Sequence, residues 1–164
     1  KMLSLMLSVE KDFPEYQFVI AGAPSHDFEL YKPFLKSENI NFISNITYDL
    51  LSISHAALVT SGTATLETAL FKVPQVVCYK TSTISYQIAR SLVDLEYMSL
   101  VNLIMDRPVV AEFLQDDFTL GNLMPALADI MGPQREKILA DYDELVDILG
   151  SSGASQRVAE IVVR

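Results

Sequence analysis

The sequence predicts an α/β domain, with a Rossmann-like parallel sheet and a helical C-terminal extension. Short apolar runs that stop at glycine, proline or polar residues alternate with helical patterns through the first hundred residues. From Asn102 onward the patterns are helical. The chain has 164 residues, of which 50% are hydrophobic, so it can form one compact domain with a real core. We predict a single domain, with an α/β core over residues 1–101 and the extension over 102–164.

Each predicted element rests on its own pattern. A first helix ends near Asp12. Strands in a parallel sheet are buried on both faces and read as short apolar runs, which predicts strands over residues 17–22, 40–43, 56–59 and 75–79. Helical patterns in the core cover residues 26–36, 47–52, 61–71 and 82–95. In the extension, helices are predicted over residues 109–114, 120–131, 134–149 and 154–163.

Composition excludes several classes of partner. The net charge of −9 and the isoelectric point near 4.6 argue against nucleic acid, which is normally bound by a basic surface. Cys78 is the single cysteine; it indicates a reducing compartment and lies in an apolar run, as a small buried hydrophobe does. No apolar run reaches the roughly 18 residues that span a bilayer. Residues 1–7 lack a signal-peptide cleavage site and are expected to be a helix from a longer protein.

The strongest local pattern is the apolar run at residues 57–59, followed by Thr60, Ser61, Gly62 and Thr63 and then a helix. The first amides of a helix lack intrahelical partners and carry the positive end of its dipole, so this turn predicts an anion site. Glu67 lies one helical turn after Thr63 on the same face, where its carboxylate could bind a sugar diol. The alternative is that Thr60 or Ser61 is an ordinary N-cap and Glu67 a solvated surface residue.

Other candidate signals are discounted. Asp141 and Asp143 match an Asp-x-Asp metal pattern, but residues two apart on a helix point to different sides and cannot share one ion. His26 and His55 have no partner at metal-ligand spacing. The sequence therefore predicts no metal site and no cofactor.

Four segments in order and spacing resemble lipid-A-disaccharide synthases. They are Ser-Gly-Thr-Ala-Thr-Leu-Glu at 61–67, Pro-Gln-Val-Val-Cys-Tyr-Lys at 74–80, Tyr-Met-Ser-Leu-Val-Asn-Leu-Ile at 97–104 and Glu-Phe-Leu-Gln at 112–115. The resemblance implies the C-terminal, donor-binding half of a two-domain GT-B glycosyltransferase. That family transfers 2,3-diacylglucosamine from UDP to 2,3-diacylglucosamine 1-phosphate with inversion, without a metal. It also implies a Gram-negative source and a cytoplasmic protein peripheral to the inner membrane, where its lipid acceptor lies.

The resemblance implies a role for seven residues. The UDP diphosphate is expected at the amides of Ser61, Gly62 and Thr63, and the ribose hydroxyls at Glu67. For the remaining three, the resemblance implies contacts to the sugar or the diphosphate: Lys80, Asn102 and Gln115. No catalytic base is assigned, because the family's base belongs to the other half.

The sequence departs from the family pattern in two places. Val101 stands where the family has proline, and the family's glycine- and serine-rich loop before the first helix is absent, so the chain alone is expected to bind donor poorly and to be inactive. Two alternatives stay open: another UDP-sugar enzyme of this fold, such as a peptidoglycan N-acetylglucosaminyltransferase or an epimerase, or a non-catalytic Rossmann-like binding module. A Gly-Ser-Ser-Gly hinge at 150–153 is compatible with a homodimer that exchanges C-terminal regions.

Overall fold

The computed structural model of the protein describes residues 2–23, 25–60, 62–80 and 96–150. The helices predicted over residues 82–95 and 154–163 lie outside the described residues, as do Ser61 and residues 151–153 of the predicted hinge.

Within these ranges, five parallel strands form two sheets. Strand β1 (Phe18–Gly22) pairs with β2 (Ile40–Ser44), and Ile20 lies opposite Phe42. The second sheet has the order β3-β4-β5, formed by β3 (Ala57–Thr60), β4 (Gln75–Tyr79) and β5 (Ala111–Leu114). These orders, 2-1 and 3-4-5, occur in doubly wound nucleotide-binding sheets. The predicted α/β class and its first four strands are confirmed.

Six α-helices occur in the described residues. Their bounds are α1 (Met2–Ser8), α2 (Thr47–Ile53), α3 (Thr63–Leu70), α4 (Leu100–Met105), α5 (Leu120–Met131) and α6 (Arg135–Leu149). A 3-10 turn, Val9–Asp12, extends α1 to the predicted end of the first helix.

Two predicted helices are wrong. Residues 26–36 form two separate 3-10 turns, Phe28–Leu30 and Lys32–Phe34, because Pro33 lacks an amide hydrogen and disfavours the α conformation at the residue before it. Residues 109–114 contain strand β5, which pairs with β4 from Val76 opposite Ala111 to Tyr79 opposite Leu114. A strand of the sheet therefore lies within the stretch that the sequence assigned to a helical extension.

One hydrophobic core joins both predicted parts of the chain. Strand β4 is its centre, since Val76, Val77 and Cys78 are fully buried. Helices α4, α5 and α6 add buried side chains to the same cluster, among them Val101, Met105, Leu123, Leu127, Ile138, Tyr142 and Leu145. The prediction of Cys78 as a buried hydrophobe is confirmed, and burial raises the pKa of its thiol to about 12.

The parallel register places the ends of three strands together. Thr60 lies opposite Cys78, and Tyr79 lies opposite Leu114. The segments that follow β3, β4 and β5 therefore leave the sheet at one edge, the carboxyl edge. In open α/β sheets this is the edge where ligands bind.

Candidate ligand site at the carboxyl edge of the sheet

The turn from β3 into α3 is built around Gly62. This residue has φ 117° and ψ −160°, a region that residues with a Cβ rarely adopt. Its carbonyl accepts hydrogen bonds from the amide of Thr65 (3.2 Å) and from Thr65 Oγ1 (2.8 Å), which fixes the first turn of α3. Gly62 itself is exposed, with open space where a Cβ would stand.

The cap of α3 leaves its first amides directed toward this edge. Gly62 is the cap residue, and among the described residues no side chain caps the helix. Thr60 therefore does not form the ordinary N-cap that the sequence allowed as an alternative. Unpaired amides at the positive end of a helix are a binding site for anionic oxygens.

Glu67 lies one turn further along α3 and has an aromatic neighbour. Its side chain is half-buried, and Oε1 accepts a hydrogen bond from the hydroxyl of Tyr48 on α2, at 3.2 Å. The Tyr48 ring stacks on Phe71, with centroids 5.3 Å apart and an interplanar angle of 27°. The hydrogen bond to Glu67 and the charge of that carboxylate raise the pKa of Tyr48 above its ordinary value. The phenol is therefore a neutral donor throughout the physiological pH range.

Lys80 and Gln115 follow neighbouring strands, and the structure brings them together. Lys80 Nζ donates to the carbonyl of Gln115 (3.3 Å), and the amide of Gln115 donates to the carbonyl of Tyr79 (2.9 Å). Gln115 has φ 49°, so the chain turns sharply as it leaves β5. The exposed ammonium of Lys80 places a positive charge at the carboxyl edge, because Lys80 directly follows β4, the strand that pairs with β3.

Asn102 lies away from this edge. It is fully buried in α4, and its side chain makes four hydrogen bonds. Nδ2 donates to the Val110 carbonyl (2.9 Å) and to Glu112 Oε1 (2.8 Å), while Oδ1 accepts from the amides of Val109 (2.8 Å) and Val110 (2.9 Å). These bonds use both amide hydrogens and both oxygen lone pairs. They favour a role in supporting β5, and a contact with ligand stays a prediction for this residue.

Glu112 is a residue of this network that the sequence analysis did not single out. Its carboxylate accepts from the amides of Met98 (2.7 Å) and Ser99 (3.0 Å), from Ser99 Oγ (2.7 Å) and from Asn102. Ser99 also caps α4 by accepting from the amide of Asn102. The sequence offered one signal for this network: Ser99 stands three residues before Asn102, the spacing of a helix cap. The hydrogen bonds to Glu112 depend on the tertiary fold.

Val101, which stands where the resemblance expects proline, lies in the first turn of α4. Proline is tolerated there because the first amides of a helix have no intrahelical acceptor. The helical position of Val101 is therefore compatible with proline, and Val101 adds a fully buried side chain.

The discounted signals have structural partners. Asp141 is paired with Arg107 and Lys137, whereas Asp143 is exposed and paired with Lys72. His55 stacks on Tyr16, and His26 contacts Ser25. Within the described ranges no group of three or more histidine, cysteine, aspartate or glutamate side chains is placed to hold a metal ion.

The parallel sheets with their helices form a Rossmann-like α/β arrangement, consistent with one half of a GT-B glycosyltransferase. The model of the lipid-A-disaccharide synthetase family matches residues 1–161. The chain belongs to that family.

Individual relatives agree with this assignment. The chain is 37% identical to the lipid-A-disaccharide synthase of Anaeromyxobacter sp. (strain K) over 92% of its length, and 32% identical to that of Coxiella burnetii (strain Dugway 5J108-111) over 99%. The enzyme of the same name from Syntrophus aciditrophicus (strain SB) is 38% identical over 97%. The chain spans 40–44% of the length of these relatives. None of the helices in the part of the chain described is long and apolar enough to cross a bilayer.

Proposed function

We propose that this chain is the donor-binding half of a lipid A disaccharide synthase. In the whole protein it would bind UDP-2,3-diacylglucosamine, from which the sugar is transferred with inversion to 2,3-diacylglucosamine 1-phosphate. The observation that carries the proposal is the turn at Gly62, which opens α3 without a described side-chain cap and is followed one turn later by Glu67. The segment that forms this arrangement lies within the residues that the family model matches.

The β3–α3 turn supplies the proposed diphosphate site. The amides of Ser61, Gly62 and Thr63 would bind the phosphate oxygens, and the α3 dipole would favour their negative charge. Lys80, which follows the adjacent strand β4, would offset charge on the leaving diphosphate, the group that must be stabilised as the glycosidic bond to UDP breaks. Gln115, held beside Lys80, would contact the sugar or the diphosphate.

Glu67 supplies the proposed ribose site. A ribose diol donates two hydrogen bonds, and a carboxylate offers about four acceptor positions on its two oxygens. Tyr48 occupies one of those positions. Among the described residues Oε2 has no partner, so a diol can reach both oxygens.

The acceptor site and the catalytic base would lie in the other half of the whole protein. Inverting transfer needs a base within about 3 Å of the acceptor hydroxyl, and no residue here is assigned to that role. The chain by itself would bind UDP weakly and transfer no sugar. The whole protein would work at the cytoplasmic face of the inner membrane.

The whole protein would also form a homodimer by exchange of C-terminal regions. Light scattering would then give twice the monomer mass.

A titration with UDP tests the proposal. We expect the backbone amide NMR signals of Gly62, Thr63 and Ala64 to shift on addition of UDP up to millimolar concentration. Glu67→Ala should weaken binding about tenfold, the effect of losing a hydrogen bond to a charged group. Glu136→Ala serves as the control, since Glu136 is an exposed glutamate in the first turn of α6.

Two results would count against the assignment. Shifts that cluster away from the carboxyl edge would place the nucleotide elsewhere. Equal UDP affinity in wild type and Glu67→Ala would remove Glu67 from the ribose site. The full-length enzyme, assayed with acylated and unacylated UDP-sugars, then separates a lipid A enzyme from another UDP-sugar transferase.

A further inference from the structure

Tyr48 lies along the face of α3 that the proposed donor site uses. Thr63, Glu67 and Phe71 are spaced four residues apart and share that face. Tyr48 contacts two of the three: its hydroxyl donates to Glu67 Oε1 at 3.2 Å, and its ring stacks on Phe71 at 5.3 Å. It comes from a different element, α2, which follows β2. The contact is therefore made by the tertiary fold and not by neighbours in sequence.

The stacked ring determines where the hydroxyl lies. Tyr48 is 56% exposed and Phe71 37% exposed, so the pair does not belong to the buried core. Stacking on Phe71 restricts the rotation of the Tyr48 ring, and its hydroxyl donates to one oxygen of a half-buried carboxylate. An unheld glutamate would sample several rotamers, most of them unsuited to a bidentate bond with a diol.

We propose that Tyr48 is a positioning residue for nucleotide recognition, which orients the Glu67 carboxylate toward the ribose hydroxyls of a nucleoside diphosphate. This inference rests on the proposed function and deepens it. Tyr48 itself need not touch the ligand; it acts through Glu67. The geometry leaves three acceptor positions of the carboxylate for the diol, so Tyr48 and ligand can be bound together.

The test removes one oxygen atom from the protein. Tyr48→Phe keeps the ring and its stacking on Phe71 but deletes the donor to Glu67. We expect its affinity for UDP to fall about three- to tenfold, the effect of losing one hydrogen bond. Tyr16→Phe is the matched control, because Tyr16 is also stacked on another ring, that of His55, and makes no described hydrogen bond through its hydroxyl. Its UDP affinity should equal that of the wild type.

A second ligand separates positioning from a general structural effect. 2′,3′-Dideoxyuridine diphosphate lacks the hydroxyls that Glu67 is proposed to bind. If Tyr48 acts through Glu67, Tyr48→Phe should change the affinity for this ligand less than twofold, while the affinity for UDP falls. In a Glu67→Gln background, Tyr48→Phe should likewise have almost no further effect on UDP binding.

The possible failures are distinguishable. If Glu67→Ala weakens UDP binding but Tyr48→Phe does not, or strengthens it, the positioning role is overturned and the donor site stands. An equal loss for UDP and the dideoxy ligand would make Tyr48 a general structural residue and also overturns the inference. If neither Glu67→Ala nor Tyr48→Phe alters UDP binding, Glu67 is not part of the ribose site and the inference is overturned with it. The proposed donor site itself fails only if the UDP-induced shifts lie away from Gly62, Thr63 and Ala64.

Discussion

At the scale of single residues, Asn102 holds the chain between α4 and β5 in place, and Glu112 holds the residues that precede α4. Asn102 forms hydrogen bonds with the main chain of Val109 and Val110 from a fully buried position. Glu112 accepts hydrogen bonds from the two backbone amides that precede α4. The family resemblance implied a ligand contact for Asn102, and asparagine is rarely buried without partners. Whether its four hydrogen-bonding positions face a ligand or the protein depends on the fold around it.

This network predicts a large loss of stability for Asn102→Ala. The truncation leaves two buried amides and one buried carbonyl without their side-chain partner, so we expect the free energy of unfolding to fall by about 2–4 kcal/mol. Urea denaturation measures this free energy of unfolding. The control is Asn122→Ala, because Asn122 is exposed and makes one side-chain bond, to the Asp117 carbonyl. A loss at Asn102 no larger than at Asn122, expected at about 1 kcal/mol or less, would contradict the supporting role.

At the scale of elements, the β3–α3 turn depends on one backbone conformation. The sequence predicted a strand, a small polar turn and a helix here, and each is confirmed.

The sequence did not predict β5, because a four-residue run is too short to show a period, and its extended form depends on pairing with β4. Short elements are decided by their neighbours more than by their own pattern.

Gly62→Ala tests the turn. Its φ of 117° and ψ of −160° lie in a region available almost only to glycine, so the substitution should lower the free energy of unfolding by about 1–3 kcal/mol without any clash. Gly121→Ala is the control, in the first turn of α5, with ordinary contact distances. It should be neutral or stabilising by up to about 1 kcal/mol. Thermal unfolding of the two variants compares them, and equal stabilities would rule out backbone strain at Gly62.

At the scale of the whole molecule, α6 is tied to the rest of the fold by packing and by charge. Ile138, Tyr142 and Leu145 enter the common core, and Gln75 of β4 bonds both the Thr65 carbonyl in α3 and the Tyr142 hydroxyl. Asp141 accepts from Arg107 (2.9 Å) and from Lys137 (2.8 Å), which links α6 to the loop before β5.

The Asp141 ion pairs predict a pH-dependent stability. Burial acts to raise the pKa of Asp141, but the hydrogen bonds and charges of Lys137 and Arg107 outweigh it and hold the pKa below its ordinary value of 3.8. A carboxylate with a lowered pKa stabilises the fold above the unfolded-state pKa, and this contribution is lost as pH falls through the lower, folded-state pKa.

We therefore expect Asp141→Asn to lower the free energy of unfolding at pH 7 by about 1–2 kcal/mol, a value that allows for the exposure of Arg107 and Lys137. The difference from the wild type should shrink as the pH falls below about 4. Asp143→Asn, in the same helix, is the control: its ion pair with Lys72 is exposed and should contribute less than about 0.5 kcal/mol. A difference between Asp141→Asn and the wild type that is constant from pH 7 to pH 3 would exclude the proposed linkage.

The sequence by itself determined the α/β class, the first four strands, the helix that begins after Gly62 and the family, because these depend on local periodicity, turn chemistry and short ordered segments. It also predicted that Cys78 is buried and that Asp141 and Asp143 cannot share an ion. Only the tertiary structure decided that residues 111–114 form a strand, that Asn102 bonds the main chain near β5 and the Glu112 carboxylate, and that Tyr48 reaches Glu67 across 19 positions of sequence. These outcomes depend on which distant groups compete for the same hydrogen bonds, and that competition exists only once the chain is folded.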